Sequence, residues 1–220
     1  MKKYVLTVLA AISVFTQVTA GSLDEKLASM GFTDVSTLDV DISLMYARDD
    51  NFTGTVLYTD LDGAWLHPSA AKALAKAASA LRREAPGIRL LVKDAARPMS
   101  VQRKMFNAVK GTSKARYVAN PANGGGLHNY GLAVDITLAG PDGKELPMGT
   151  PVDHLGKEAH IDTEDAMMKA GTLTEEAVRN RRLLRKVMRE GGFRTIRNEW
   201  WHFQVKSRSA ARRENKLLNF

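Results

Sequence analysis

The sequence predicts a single α+β domain with a mainly antiparallel sheet and flanking helices. Three observations carry that prediction. Alternating or continuously apolar runs of strand length, such as LAVDITL (Leu132–Leu138), stand among longer runs with helical apolar spacing. The two kinds mix without the regular strand–helix–strand order of a parallel α/β protein. The 220 residues suffice for one sizeable core and leave little room for a second. Apolar residues at 44% and charged residues at 25% are ordinary for a soluble globular chain, and no solenoid repeat or heptad run redirects the reading.

The N-terminus reads as an address. Lys2 and Lys3 precede an apolar run, Tyr4–Phe15, and VTA (Val18–Ala20) offers a signal-peptidase site. As a helix that run would span about 18 Å, short of the ~30 Å hydrocarbon core. We therefore expect a signal peptide at residues 1–20, a domain at residues 21–220, and export. In a cell with an outer membrane that means the periplasm, with no transmembrane anchor left after the leader is removed. The net charge of +8 selects no partner by itself. The basic tail, Val205–Lys216, reads as a solvated helix or frayed end, or as a surface drawn to an anionic envelope. No nucleic-acid motif is present, so nucleic acid is not an expected partner.

Along the mature chain, residues 21–36 read as a short amphipathic helix and a linker. DVDISLMYA (Asp39–Ala47) alternates and reads as a strand, followed by a loop. Pro68 opens a helix to Arg83, rich in Ala, Leu and Lys. Ile88–Ala96 reads as a buried strand, and Val101 to about Val109 as a helix. Ala119–Gly126 is a loop, Leu132–Leu138 a strand, and Gly140–Lys144 has hairpin-turn chemistry. Thr174–Phe193 is a strong helix. Thr174 can cap it, Glu175 and Glu176 complement its dipole, and Gly191 and Gly192 end it. Trp201–Val205 reads as the last strand.

Cysteine is absent, so any metal must rest on His, Asp or Glu, and only five histidines are available: His67, His128, His154, His160 and His202. Asp135 sits inside an apolar strand, sharing a face with the small residues Ala133 and Thr137. A buried carboxylate needs a partner. His128 lies seven residues earlier, an odd offset that on an unbroken strand would put the two on opposite faces; Gly131 permits a bend between them. In EWWH, Glu199 and His202 are three apart and also need a turn, at Trp200–Trp201, to face one cavity. The two tryptophans would then wall that cavity and raise the pKa of an unligated Glu199. Two readings stand. His128, Asp135 and His202 hold one Zn²⁺ with a fourth position for water, and Glu199 moves protons; or Asp135 and His202 are hydrogen-bonded core groups. Arg97, ending a buried strand before Pro98, either pairs with Asp94 or is a fixed cation aimed at an oxyanion.

Taken together, YARDDNFTG (Tyr46–Gly54), DAARP (Asp94–Pro98), HNYGLAVDITL (His128–Leu138), ELPMGTPVD (Glu145–Asp153), NRRLLRKVMREGGF (Asn180–Phe193) and EWWH (Glu199–His202) resemble the zinc D-Ala-D-Ala dipeptidases, the family that includes the vancomycin-resistance dipeptidase. The resemblance covers most of the mature chain and implies a fold of the Hedgehog/D,D-peptidase type. It implies one zinc ion on His128, Asp135 and His202, Glu199 as general base and acid, and Arg97 as transition-state stabiliser. It further implies a small dipeptide substrate whose ammonium group Asp153 holds, with Tyr46 and Asp94 lining the pocket. His154 and His160 are expected to be loop residues rather than ligands. Two departures stand out. Gly126 occupies a position where the family commonly has serine. The leader also suggests export, which fits scavenging of D-alanine or wall turnover better than resistance. The rivals are a D,D-carboxypeptidase acting on peptidoglycan stems and a non-catalytic zinc-bearing wall-binding module.

Overall fold

A computed structural model of the chain describes residues 22–220, so the expected signal peptide lies outside the described residues. Helix α1 (Leu23–Ser29) begins with a reciprocal cap: the Ser22 hydroxyl accepts from the Glu25 N–H, and the Glu25 carboxylate accepts from the Ser22 N–H. Strand β1 (Thr33–Asp34) leads on to β2 (Asp41–Ile42). Asp39–Ala47 is not one strand as its alternation suggested. Met45–Ala47 form a 3-10 turn, and the Tyr46 carbonyl accepts from the N–H groups of both Leu57 and Tyr58. The following loop thus folds back onto the turn and leaves no room for a straight continuation.

Strand β3 (Trp65–Leu66) pairs antiparallel with β1 in a small separate sheet. Helix α2 (Pro68–Glu84), strand β4 (Arg89–Asp94) and helix α3 (Met99–Val109) follow, then β5 (Ala133–Ala139). Helices α4 (Glu164–Lys169) and α5 (Glu175–Gly191), strands β6 (Arg194–Thr195) and β7 (His202–Gln204), and helix α6 (Arg208–Glu214) complete a mixed α/β domain. The main sheet has the order β2-β4-β5-β7-β6. β2 runs parallel to β4, and the other three pairings are antiparallel.

The faces of β5 divide the labour. Val134, Ile136 and Leu138 join a core that includes Leu74 and Leu81 of α2 and Leu184, Val187 and Met188 of α5. Ala133, Asp135 and Thr137 therefore point to the opposite face. The alanines of α2 let α5 come close: a Cβ on Gly191 would lie 2.5 Å from the Ala73 carbonyl oxygen. As its sequence suggested, α5 is capped by Thr174, whose hydroxyl accepts from the Ala177 N–H, and ends at Gly192 in the left-handed region. The basic tail forms a solvated helix, one of its sequence readings, with Arg208, Arg212 and Arg213 exposed on α6. After α6 the chain docks beside α3, where Leu218 is fully buried and its carbonyl accepts from the Met99 N–H. The Leu218 N–H in turn donates to the Asn129 carbonyl.

Candidate active site

Three neighbouring strands put Asp94, Asp135 and His202 in one row, because Asp135 is the register partner of both others. Residues directly opposite across an antiparallel pair share a face. A bulge on β4 makes this row. Val92 pairs with Ile136, but Asp94 rather than Lys93 pairs with Asp135. In an unbroken ladder the lysine would stand opposite Asp135. Instead Lys93 reaches the Glu145 carboxylate at 2.7 Å.

His128 enters from a 3-10 turn, Leu127–Tyr130, which Gly131 ends with φ of 63°. A Cβ there would come 2.3 Å from the Phe32 ring, so both the backbone angle and the space call for glycine. This reversal brings His128 Nε2 to 3.2 Å from Asp135 Oδ1 despite the odd spacing. A turn at Trp200–Trp201 does the same before β7 and leaves Glu199 Oε2 3.9 Å from His202 Nδ1.

The donor set suits a metal cation. One ligand atom from each of His128, Asp135 and His202 lies within 4.8 Å of the others, and all three residues are buried. Each imidazole turns its other nitrogen to an acceptor. His128 Nδ1 is 2.8 Å from the Ala95 carbonyl and His202 Nε2 is 3.3 Å from Gln204 Oε1. With protons on those outer nitrogens, the inner lone pairs of His128 Nε2 and His202 Nδ1 face each other at 3.2 Å. Two lone pairs and a carboxylate in that space need a proton or a cation between them. Burial disfavours a charged His128, but Asp135 outweighs it and raises the pKa. Burial likewise disfavours the Asp135 carboxylate, yet the two histidines hold its pKa well below the usual range.

A cavity of about 540 Å³ opens over this set, and Tyr46, Arg97, Asp153 and Glu199 line it. Burial, reinforced by Asp135 and Asp153, pushes the Glu199 carboxyl up to about 8. Asp153 is raised to about 7, first by burial and then by Asp135, and it accepts a hydrogen bond from the Tyr46 hydroxyl. Its φ of 63° makes it the left-handed non-glycine residue among the described residues, a strained backbone held at the cavity wall. Arg97 combines both of its sequence-level readings. It is paired with Asp94, through Nε at 3.0 Å and through Nη2, and also faces the cavity with Nη2 3.7 Å from Asp135 Oδ2.

Two expectations need correction. Asp94 does not line the cavity; it is fully buried behind Arg97 and His128, where it accepts from Arg97 and the Tyr58 hydroxyl. The tryptophans are not cavity walls either. Trp200 and Trp201 are fully buried in the core and stack edge to face at 5.4 Å. His154 sits in a loop 2.9 Å from Glu158, and His160 lies 3.3 Å from the Tyr117 hydroxyl; neither joins the metal-binding set. Sequence reasoning missed Gln102, which accepts from Arg97 Nη1 at 3.0 Å and donates to the Ala119 carbonyl. Its signal was a polar residue three positions from both Met99 and Met105 on the buried stripe of α3.

Convergent imidazoles, a depressed carboxylate and a raised one beside them place the protein among metal-dependent hydrolases. Comparison with known proteins takes the class further. The family model described as D-ala-D-ala dipeptidase, of the M15 peptidases, matches residues 27–219. The D-alanyl-D-alanine dipeptidase of Escherichia coli (strain K12) is 34% identical over 167 residues, 76% of this chain and 79% of that protein. The D-alanyl-D-alanine dipeptidase of Enterococcus faecalis is 36% identical over 90 residues, and that of Enterococcus faecium 33% over 91. Those two alignments span about 40% of each chain. The chain belongs to the M15 D-Ala-D-Ala dipeptidase family and is a metallopeptidase.

Proposed function

We propose that this protein hydrolyses D-alanyl-D-alanine to two molecules of D-alanine, using one zinc ion held by His128, Asp135 and His202. The observation that carries the reading is a pairing within one cavity: a partly buried acid, Asp153, whose described partner is the Tyr46 hydroxyl, and beside it the His-Asp-His set with Glu199. The dipeptidase names of the relatives support it. When bound, the zinc ion supplies Lewis acidity, polarising a carbonyl and making water more acidic.

The chain's own residues do the rest. Asp153 receives the substrate's ammonium group, which replaces the proton that burial otherwise keeps on it, and so selects for a free N-terminus. Arg97, held by Asp94 and Gln102, presents its guanidinium to the oxygen that gains charge. Glu199 takes a proton from the attacking water as the new C–O bond forms. It returns that proton to the amide nitrogen as the C–N bond breaks. Residues 1–20 act as a signal peptide ahead of a catalytic domain at residues 21–220, and the enzyme recovers D-alanine outside the cytoplasm. The support for export is the leader pattern. Among the described residues no helix is long and apolar enough to cross a membrane.

The test is release of D-alanine from D-Ala-D-Ala with and without chelator, beside L-Ala-L-Ala and a stem pentapeptide. Chelator-sensitive release from the D,D-dipeptide alone is expected. Comparable cleavage of the pentapeptide would shift the reading to a D,D-carboxypeptidase, and bound zinc with no hydrolysis would shift it to a binding module.

A further inference from the structure

Arg181, on α5, has no part in the chemistry just described, yet it is fully buried. Burial pulls its guanidinium down to about 10, so it stays charged at neutral pH. Its contacts explain how the charge is tolerated and what it does. Nε donates to the Met148 carbonyl at 2.7 Å and Nη2 to the Glu158 carbonyl at 3.0 Å. One side chain thus ties together both ends of the loop that carries Asp153. The Glu164 carboxylate, which accepts from both Arg185 Nη1 and Nη2, stands 3.6 Å from Arg181 Nη1, and Nη1 itself has no hydrogen-bond partner among the described residues. The guanidinium also lies over the Trp200 ring at 5.4 Å, and Trp200 is the residue after Glu199. Thr150 closes the circuit. Its hydroxyl accepts from Trp200 Nε1 at 2.8 Å and lies 3.4 Å from Arg181 Nη2. Between the two tied ends Asp153 holds its left-handed backbone, which relaxes unless its surroundings fix it.

We propose that Arg181 is a positioning residue that holds the Asp153 loop and the Glu199 turn in one fixed relation. It thereby sets the enzyme's selectivity for a free N-terminal ammonium group. The proposal rests on the assignment of Asp153 to that group. Lysine keeps the charge but lacks the planar fork that spans two carbonyls and stacks on an indole, so Arg181→Lys tests geometry rather than charge. The readout is the ratio of kcat/KM for D-Ala-D-Ala to that for N-acetyl-D-Ala-D-Ala, measured below the unfolding transition.

Arg181→Lys is expected to lower this ratio about tenfold, mainly through a higher KM for the free dipeptide. Leu27→Ala, a core truncation in α1, should lower the melting temperature and leave the ratio unchanged. Asp153→Asn separates the two layers of the argument. If it lowers the ratio while Arg181→Lys stays within twofold of wild type, the positioning role is overturned. If Asp153→Asn itself leaves the ratio unchanged, the ammonium assignment falls and takes this inference with it. Should Arg181→Lys not fold, Thr150→Val removes the shared hydroxyl and leaves Arg181 in place. A fall of about threefold in the ratio supports the proposal, and a wild-type ratio overturns it.

Discussion

Replacing Asp153 with asparagine tests substrate recognition with a sign and a size. In the substrate-free cavity burial and Asp135 hold the Asp153 carboxyl protonated up to about 7. Only its ionised form can pair with an ammonium group, so about a tenth of the enzyme is competent at pH 6 and about nine-tenths at pH 8. Glu199, raised to about 8, must also be ionised to accept a proton. The wild-type kcat/KM should therefore climb below neutral pH with the steepness of two ionisations. Asp153→Asn leaves only the Glu199 limb and the steepness of one. A charge-assisted hydrogen bond is worth ~1.5–3 kcal/mol, which predicts a loss of about 10- to 150-fold in kcat/KM at pH 8. One pH unit below the Asp153 pKa of the working enzyme the gap should shrink about tenfold, because the wild type is then mostly protonated too. Bound zinc draws both carboxyls down and moves the curves to lower pH without changing the difference in slope. The linkage sign gives an independent check on the ligand-free fold. A raised carboxyl contributes stability at low pH that is lost as pH rises through about 7, and Asp153→Asn should flatten that loss. Parallel pH profiles for wild type and variant would refute the assignment.

Other expectations follow from the same geometry. Glu199→Gln should cut kcat by ~10²–10⁴ while the metal content of purified protein, read by elemental analysis, stays the same; turnover within a few-fold of wild type would end its role as proton carrier. Chelation should lower the melting temperature of the wild type and zinc should restore it, since a cation at a hundred times its Kd stabilises the fold by ~2.7 kcal/mol. Asp135→Ala should abolish that response, and a chelator-induced shift that survives in the variant would place the metal elsewhere. Gly131→Ala must place a Cβ 2.3 Å from the Phe32 ring at a φ of 63°, so denaturant unfolding should show a loss of ~1–3 kcal/mol together with weaker metal retention as His128 shifts. A change under ~0.5 kcal/mol would mean that the turn relaxes freely.

The parts of the fold that were legible are those long enough to show a period. Helices α2 and α5, each seventeen residues, and strands β4 and β5 announce themselves through spacing and caps. Strands β1, β2, β3 and β6 have two residues each, too few for any alternation to register. Met45–Ala47 misled because a 3-10 turn with buried Met45 and Tyr46 continues the apolar look of the strand before it. The odd spacings 128–135 and 199–202 demanded bends, and Gly131 marks the first. The bulge at Lys93 carries no glycine to mark it, although it decides whether a cation or Asp94 stands opposite Asp135.

The more useful regularity lies in where the apolar pattern is broken. Asp135 interrupts a strand whose other residues are buried and mostly apolar; Gln102 interrupts the buried stripe between Met99 and Met105; Arg181 stands three residues from both Val178 and Leu184 on the stripe of α5. Each sits where burial would favour a hydrocarbon, and a buried polar group is retained where partners hold most of its polar atoms. In the structure those partners are the metal-binding histidines for Asp135, the guanidinium of Arg97 for Gln102, and both ends of the Asp153 loop for Arg181. The sequence reading recognised Asp135 by this rule but passed over Arg181, because five other basic residues on the same helix made it look like part of a solvated face. A cation counted by its position on the helix rather than by the charge of its neighbours would have marked Arg181 as a buried residue from the sequence alone.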